Sequence, residues 1–208
     1  MPLNDASPEI EFWFDFASSY SYLSVMRIED AAATIGAKVV WRPFMLGPIF
    51  NSFGWDNSPF VLQNEKGEYM WKDMVRECRK YGLPWNRPST FPRLSTLPAR
   101  VAIVAADKPW VGEYCRRIML LNFASDRDIH SQEAVGDVLI NLGLPALQIL
   151  SEAQSATNKP RLRQQTETAK VKRIFGAPTF LVNNELFWGN DRLDDALHFA
   201  RQRVQERD

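Results

Sequence analysis

The feature that most constrains the fold of this chain is the order in which strand and helix patterns follow one another. Residues 9–16 (EIEFWFDF) alternate in the period-two pattern of a β-strand. Apolar residues at helical spacing then run from Val25 to Ile35, and Gly36 fits a left-handed helix stop. A β-branched and aromatic run at 37–44 follows. This β-α-β opening favours a parallel strand pair with a right-handed crossover.

The middle of the chain, from Gly47 to about Pro160, has a helical pattern interrupted by Pro and Gly residues. Apolar residues at helical spacing predict four helices here. The first has Trp71, Met74, Val75 and Cys78 on one face and ends at Gly82 and Pro84, and the second covers 99–106. The third has Val111, Tyr114, Cys115, Ile118 and Met119 on one face, and the fourth runs from Ser131 to Gly143.

Strand character returns near the end of the chain. Residues 161–175 predict a charged helix that stops at Gly176. Two short strands, 179–182 and 185–188, flank Asn183-Asn184, which is typical of a hairpin turn. An apolar stripe that begins at Leu193 then predicts a last amphipathic helix.

Without its middle block, the order β-α-β and α-β-β-α is that of thioredoxin. We therefore expect an α/β protein with a thioredoxin-like fold and a large all-helical insertion. Residues 1–47 and 161–208 would form the thioredoxin-like domain, and residues 48–160 would form the helical insertion domain. The length of 208 residues and the 45% share of hydrophobic residues suffice for a sizeable core.

Charge and cysteine usage exclude several classes of function. Lys plus Arg and Asp plus Glu each count 25, so no bulk field attracts nucleic acid or an anionic membrane. No apolar stretch approaches membrane-spanning length, and no signal-peptide pattern precedes Glu11. The two cysteines, Cys78 and Cys115, belong to no paired motif. We expect a cytoplasmic protein in a reducing compartment, without a metal site.

The tetrapeptide Ser18-Ser19-Tyr20-Ser21 occupies the strand-to-helix turn where thioredoxins carry Cys-x-x-Cys. Both cysteine positions are serine, so this turn cannot perform disulfide exchange. A serine hydroxyl can instead donate a hydrogen bond to the thiolate of another molecule and lower the pKa of that thiol. The alternative interpretation is that Ser18 and Ser19 cap the helix.

Two later segments would converge on this turn in a thioredoxin fold. In Gly176-Ala177-Pro178-Thr179 a cis proline is expected, and the backbone of Ala177 could pair with a peptide-like ligand. The alternative is that these residues have no binding role: the glycine ends a helix and the proline starts a strand. In Gly189-Asn190-Asp191-Arg192, Asn190 or Asp191 could be an N-cap, or Asp191 could bind an amino-acid-like group such as the one that ends glutathione.

Three stretches together carry a resemblance that runs along essentially the whole chain. They are FDFASSYSYLS, LQNEKGEYMWKDM with RKYGLP, and RQQTETAKVKRIFGAPTFLVNNELFWGNDRLDDAL. In these stretches the chain resembles the glutathione-dependent 2-hydroxychromene-2-carboxylate isomerases and the kappa-class glutathione transferases, which are related to bacterial disulfide oxidoreductases of thioredoxin fold. The resemblance implies glutathione as cofactor, a small aromatic substrate and a homodimer.

The resemblance also implies roles for individual residues. Ser18 matches the serine that contacts the glutathione sulfur, and Tyr20 matches an aromatic position of the same turn. Asn57 and Lys66 match residues that hold the tripeptide, although without the family they would be interpreted as solvated loop residues. The remaining binding positions are Ala177 and Pro178 as a backbone clamp, and Asn190, Asp191 and Arg192 at the γ-glutamyl end.

Three positions depart from the family pattern. Ser19 stands where proline is usual, and Leu94 and Pro98 interrupt a stretch where a polar residue and a plain helix start are expected. We expect the stretch around Leu94 to shape the pocket for the second substrate.

The implied activity is the interconversion of 2-hydroxychromene-2-carboxylate and trans-o-hydroxybenzylidenepyruvate, or of a close analogue, in aromatic hydrocarbon degradation. Ser18 would orient and acidify the thiol, since a nucleophilic serine needs an adjacent base. One alternative is a kappa-like glutathione transferase or peroxidase. The other is a non-catalytic thioredoxin-like module that binds a peptide along the proline edge.

Overall fold

A mixed four-stranded sheet lies at the centre of the protein. The structure is a computed structural model that describes residues 7–205. The strands run in the order β2-β1-β3-β4. Their bounds are Glu9–Phe14 for β1, Lys38–Pro43 for β2, Thr179–Val182 for β3 and Glu185–Trp188 for β4. β1 pairs with β2 in parallel and with β3 antiparallel, and β3 pairs with β4 antiparallel. The predicted parallel β-α-β opening and the thioredoxin-like fold with its helical segment are confirmed.

β1 is central because both of its faces are covered. Phe12 packs its ring 5.3 Å from Trp41 of β2 and 5.4 Å from Phe180 of β3, measured between ring centroids. These residues belong to the larger apolar core. Trp13 points to the opposite face and joins a smaller core with Phe44. The strand ends at Phe14, two residues before the predicted end, so the residues that follow it are free to form a turn.

The crossover from β1 to β2 consists of two helices instead of the single predicted one. α1 spans Ser19–Val25 and α2 spans Ile28–Ala33. The break lies at Arg27, whose backbone angles of φ −122° and ψ −25° leave the helical region. Its guanidinium lies 3.7 Å from the centre of the Tyr81 ring, so the break coincides with a contact that is distant in sequence.

Seven helices lie between β2 and the next helix of the thioredoxin-like part, within the described residues. They are α3 Leu46–Ser52, α4 Pro59–Leu62, α5 Asn64–Tyr81, α6 Thr96–Val104, α7 Val111–Phe123, α8 Gln132–Asn141 and α9 Ala146–Ala153. Gly82 ends α5 at φ 65°, and the Ser131 side chain caps α8, as predicted. Val75 is 42% exposed and does not share the buried face of Met74 and Cys78. The division into residues 1–47 with 161–208 and 48–160 stays a prediction.

The closing part contains α10 Lys159–Val171, the β3–β4 hairpin and α11 Leu193–Gln205. α10 ends before the predicted Gly176, because Arg173 adopts φ 58° and the Ile174 N–H bonds back to Ala169 O at 2.9 Å. Ile174 then enters the smaller core. The hairpin turn is confirmed, with Asn183 and Asn184 at φ 49° and 69°. No helix between residues 7 and 205 is long and apolar enough to cross a membrane.

Candidate functional site

Ser18 joins the first strand-to-helix turn to a loop far away in sequence. It is the N-cap of α1, and its Oγ accepts a hydrogen bond from the Ser21 N–H at 3.2 Å. The same hydroxyl donates to Ala177 O at 3.0 Å. Ser18 is 8% exposed, so the hydroxyl lies just beneath the surface. The capping interpretation is therefore correct for Ser18, which still donates its own proton to Ala177 O. It is wrong for Ser19, which is the first residue of α1 and donates to Met70 Sδ at 3.0 Å.

The Ala177–Pro178 peptide bond is cis and lies directly before β3. Pro178 O accepts from the Gly189 N–H at 2.9 Å, which ties this loop to the end of β4. Only glycine fits beside the Trp188 indole at position 176, because a Cβ there would lie 2.3 Å from Nε1 of the indole. The loop is thus held from two sides, with the Ala177 carbonyl turned to Ser18.

The third segment reaches the same region through Asn190. This residue is 5% exposed, and its Oδ1 accepts from Ser24 Oγ and from Arg27 Nη1, each at 3.1 Å. Asn190 therefore fastens the start of the last helical part to α1, and its side-chain oxygen is already bonded within the protein. The cis-proline loop thus meets the turn at Ser18, and the third segment meets that loop at Gly189 and α1 at Ser24 and Arg27.

Asp191 and Arg192 lie exposed in the short 3-10 helix that leads into α11. Gly189, at φ 114°, is the N-cap of this 3-10 helix and makes no side-chain capping bond, so neither Asn190 nor Asp191 has that role. Asp191 Oδ2 lies 3.5 Å from Arg192 Nη2, and Arg192 also bonds Asp195 at 2.8 Å. Both charges face solvent, where an amino-acid-like group could approach them.

Tyr20 points from the turn toward α4 and α5. Its hydroxyl donates to Asp73 Oδ2 at 2.8 Å, and its ring centroid lies 6.1 Å from that of Phe60. Burial, followed by the hydrogen bond to Asp73, raises the pKa of Tyr20 well above the ordinary value for tyrosine. The hydroxyl therefore stays protonated, and it connects α1 to α5.

Asn57 and Lys66 are exposed on the α4–α5 side of the molecule. Asn57 Oδ1 accepts from the neighbouring Ser58 N–H at 2.8 Å, and Lys66 lies near the start of α5. Within the described part of the chain, no hydrogen bond or ion pair joins either side chain to the Ser18 turn. Their roles toward the tripeptide stay predictions.

Sequence reasoning missed Asp15, a buried carboxyl group directly below the turn. Its Oδ1 accepts from the Ala17 N–H at 2.9 Å and from Ser95 Oγ at 2.6 Å, and its Oδ2 accepts from the Leu46 N–H at 2.8 Å. Its backbone carbonyl accepts from the Ser18 N–H at 3.0 Å. Desolvation by burial raises the pKa of Asp15. One side chain thus links the turn to the starts of α3 and α6.

A cavity of about 500 Å³ opens beside the Tyr20 side of the turn. Its walls include three aromatic residues, Phe60, Trp71 and Phe91. Phe60 also packs against Tyr20, so the cavity wall reaches the Tyr20 side chain of the turn. Leu94, which is 67% exposed, is not among the lining residues, so the stretch expected to shape a pocket contributes Phe91 instead.

Gly67 allows α5 to pack against α4 at the cavity wall. A Cβ at this position would lie 2.2 Å from the Phe60 carbonyl oxygen. Because that oxygen belongs to the backbone, it can move away only if α4 moves with it. We expect Gly67→Ala to destabilise the protein by about 1–3 kcal/mol, as is typical of overpacking. Thermal unfolding measures this.

The matched control is Gly136→Ala, also inside a helix, where the new Cβ would make an ordinary 3.5 Å contact with Leu150. That variant should be neutral or more stable by about 0.5–1 kcal/mol, the helix preference of alanine over glycine. A Gly67→Ala variant as stable as the wild type would contradict the close packing.

Comparison with known families agrees with this geometry. The profile of the family described as the DSBA-like thioredoxin domain matches residues 9–199, which includes the serine turn, all the helices of the middle part and the cis-proline loop. The chain belongs to the DSBA-like thioredoxin domain family.

Several named proteins resemble this DSBA-like protein over most of its length. A 2-hydroxychromene-2-carboxylate isomerase of Sphingobium xenophagum is 27% identical over 190 residues, covering 89% of this chain and 94% of that protein. Glutathione S-transferase kappa 1 of Caenorhabditis elegans is 22% identical and covers 89% and 87%. The structure of a selenomethionine-labelled 2-hydroxychromene-2-carboxylate isomerase superposes with a TM-score of 0.83, at 23% identity and 94% and 95% coverage.

The cysteines of this DSBA-like protein cannot take the place of the missing pair. Cys78 and Cys115 are both unpaired and buried. Burial raises the pKa of Cys78 to about 12 and that of Cys115 well above its ordinary value. Both thiols are therefore protonated at neutral pH. Thiolate chemistry at the Ser18 turn requires a sulfur from another molecule.

Proposed function

We propose that the protein is a glutathione-dependent isomerase that interconverts 2-hydroxychromene-2-carboxylate and trans-o-hydroxybenzylidenepyruvate, or a close analogue. The observation that carries the proposal is the bond between Ser18 Oγ and Ala177 O, 3.0 Å long, which places a hydroxyl beside the cis-proline edge. Relatives that bear the isomerase name match the chain over most of its length.

The residues of the turn fit a bound tripeptide. The Ser18 proton, now directed at Ala177 O, can rotate to a sulfur bound at the surface beside the turn. The Ala177 backbone offers an edge along which a peptide can pair. At the far end, the exposed Asp191 carboxylate can hold the ammonium of the γ-glutamyl group.

Bound glutathione would supply a thiol that adds reversibly to a conjugated double bond, so that the bond can rotate before the thiol leaves. Ser18 stabilises the thiolate form by donating a hydrogen bond to it. Asp15 fixes the position of the turn through its hydrogen bond with the Ala17 N–H. The Tyr20 hydroxyl stays protonated and donates to Asp73. The proposed reaction needs no net oxidation or reduction.

We further propose that the aromatic second substrate enters the cavity lined by Phe60, Trp71 and Phe91. The three aromatic rings of this cavity, set among polar groups, suit a bicyclic aromatic ligand that also carries a polar substituent. The family resemblance also supports a homodimer, and the two unpaired cysteines fit a reducing cytoplasm.

Calorimetric titration with glutathione tests the proposal. The wild type should bind glutathione, and Asp191→Ala should weaken binding by about tenfold or more, since one charge-assisted hydrogen bond is lost. Asp194→Ala is the matched control, because it removes the same charge from a side chain three residues later that is 85% exposed. This variant should bind glutathione as tightly as the wild type. A wild type that binds no glutathione would end the proposal in favour of a peptide-binding module.

A kappa-like glutathione transferase is the second candidate, favoured by the kappa-class relative. It would use the same thiol but retain the sulfur in its product. Incubation with glutathione and the chromene carboxylate distinguishes the two: the isomerase returns all of the glutathione, whereas the transferase consumes it in proportion to the product.

A further inference from the structure

Arg87 is an arginine held over an aromatic wall of the cavity. Its guanidinium carbon lies 4.7 Å from the centre of the Trp71 ring, and the side chain is 58% exposed. Trp71 is itself fixed edge-to-face against Phe91, with ring centroids 4.8 Å apart. Contact with the ring restricts the orientations of the guanidinium, and Arg87 also lines the cavity.

Glu68 is the other charged residue among those found to line the cavity in the described part of the chain. Its Oε1 lies 3.8 Å from Arg87 Nη1, longer than a hydrogen bond, and its side chain is 54% exposed. Such an exposed, loose ion pair contributes little to stability. Glu68 therefore neutralises Arg87 without saturating its donors.

A ligand carboxylate that reached Arg87 could form two parallel hydrogen bonds with the guanidinium fork, which the 3.8 Å pair with Glu68 does not. The ring of the same ligand would lie against the aromatic walls. A neutral aromatic ligand would gain only the second contact. An anionic ligand must also overcome the repulsion of Glu68.

We propose that Arg87 is the residue that selects anionic over neutral aromatic ligands in this cavity, and that Glu68 is a built-in competitor that weakens their binding. The inference rests on the proposed function in treating the cavity as the second-substrate pocket. Glu68 follows Gly67 in α5, and it lines the same cavity as Arg87.

Calorimetry with naphthalene-2-carboxylate and naphthalene-2-carboxamide tests the proposal, because the two probes share a ring system and differ in charge. The wild type should bind the carboxylate about tenfold more tightly than the amide. Arg87→Gln should remove this preference, and Glu68→Gln should strengthen carboxylate binding by about three- to tenfold while amide binding stays unchanged.

Arg76→Gln is the matched control, since Arg76 is an exposed arginine of α5 that does not line the cavity. It should retain the wild-type preference. Equal binding of the two probes by the wild type, or a preference that survives in Arg87→Gln, would overturn the proposal. Because these titrations contain no glutathione, failure of the thiol chemistry would appear in the glutathione titration and leave the probe preference intact.

Discussion

Replacing Ser18 by alanine is expected to lower kcat for the glutathione-dependent isomerisation by about 10²- to 10³-fold, the usual loss when a preorganised donor to an anion is removed. Without the hydroxyl, the sulfur loses a hydrogen bond that favours its thiolate form. The pKa of bound glutathione should therefore rise, and the pH–rate profile should shift toward alkaline pH. The ultraviolet absorbance of the thiolate, followed as a function of pH in the binary complex, measures this shift directly.

Two further variants separate the donor role of Ser18 from its capping role. Ser18→Thr keeps a hydroxyl that can both cap and donate, and it should retain much of the activity. Ser21→Ala removes a buried hydroxyl from the same turn that has no hydrogen-bond partner among residues 7–205, and it should leave the thiol pKa unchanged. If Ser18→Ala loses only about 1 kcal/mol of stability and keeps its pH–rate profile, the residue is a helix cap and nothing more.

Asp15→Asn is expected to lower the free energy of unfolding at neutral pH by about 3 kcal/mol, equivalent to a fall of roughly 6–12 °C in Tm. Both carboxylate oxygens accept hydrogen bonds from donors, namely the Ala17 and Leu46 N–H groups and Ser95 Oγ. An asparagine must turn its own NH₂ group toward one of these donors, which then stays buried without an acceptor. Chemical denaturation measures the loss.

The exposed Asp137 of α8 provides the control, because Asp137→Asn makes the same change where no buried donors converge. It should change stability by less than about 0.5 kcal/mol. An Asp15→Asn variant that unfolds at the wild-type denaturant concentration would contradict the proposed role of Asp15 in linking the turn to α3 and α6.

The stability difference between wild type and Asp15→Asn should also depend on pH in a defined direction. Burial raises the pKa of Asp15 in the folded protein above its ordinary value of 3.8. A carboxyl group with a raised pKa binds protons more tightly in the folded state, so its contribution to stability is largest below about pH 4. That contribution falls as the pH rises through the folded pKa and is constant above it. If the stability advantage of the wild type over Asp15→Asn grew with pH, that result would contradict a raised pKa of Asp15 in the folded protein.

Local signals were enough to predict most of the fold. The alternation in β1, the paired asparagines of the hairpin and the glycine that ends α5 each act within a few residues, and all appear as predicted. The break at Arg27 and the early end of α10 at Val171 were not predicted. Arg27 packs on the Tyr81 ring, a contact distant in sequence that no local pattern records. α10 ends in a local turn whose left-handed residue is Arg173 and not a glycine, so the sequence does not mark it.

The candidate site divides in the same way. Ser18 and Pro178 were found because motif and topology place them together, and the structure does so. Asp15 was interpreted as a polar position of the alternating strand, although an acid at the end of an otherwise apolar strand and before a serine turn was a usable signal. Nothing local marked Arg87 and Glu68, which resemble any solvated charges until α5 and the following loop bring them to one cavity.

The sheet order has a consequence for the synthesis of this chain on the ribosome. β1 emerges first, yet one of its edges waits for β3, which begins at Thr179. Until then a strand with Phe12, Trp13 and Phe14 has open backbone groups along one side, the arrangement most prone to pairing with other chains. We therefore expect truncated chains that stop before Thr179 to aggregate more readily than the full chain.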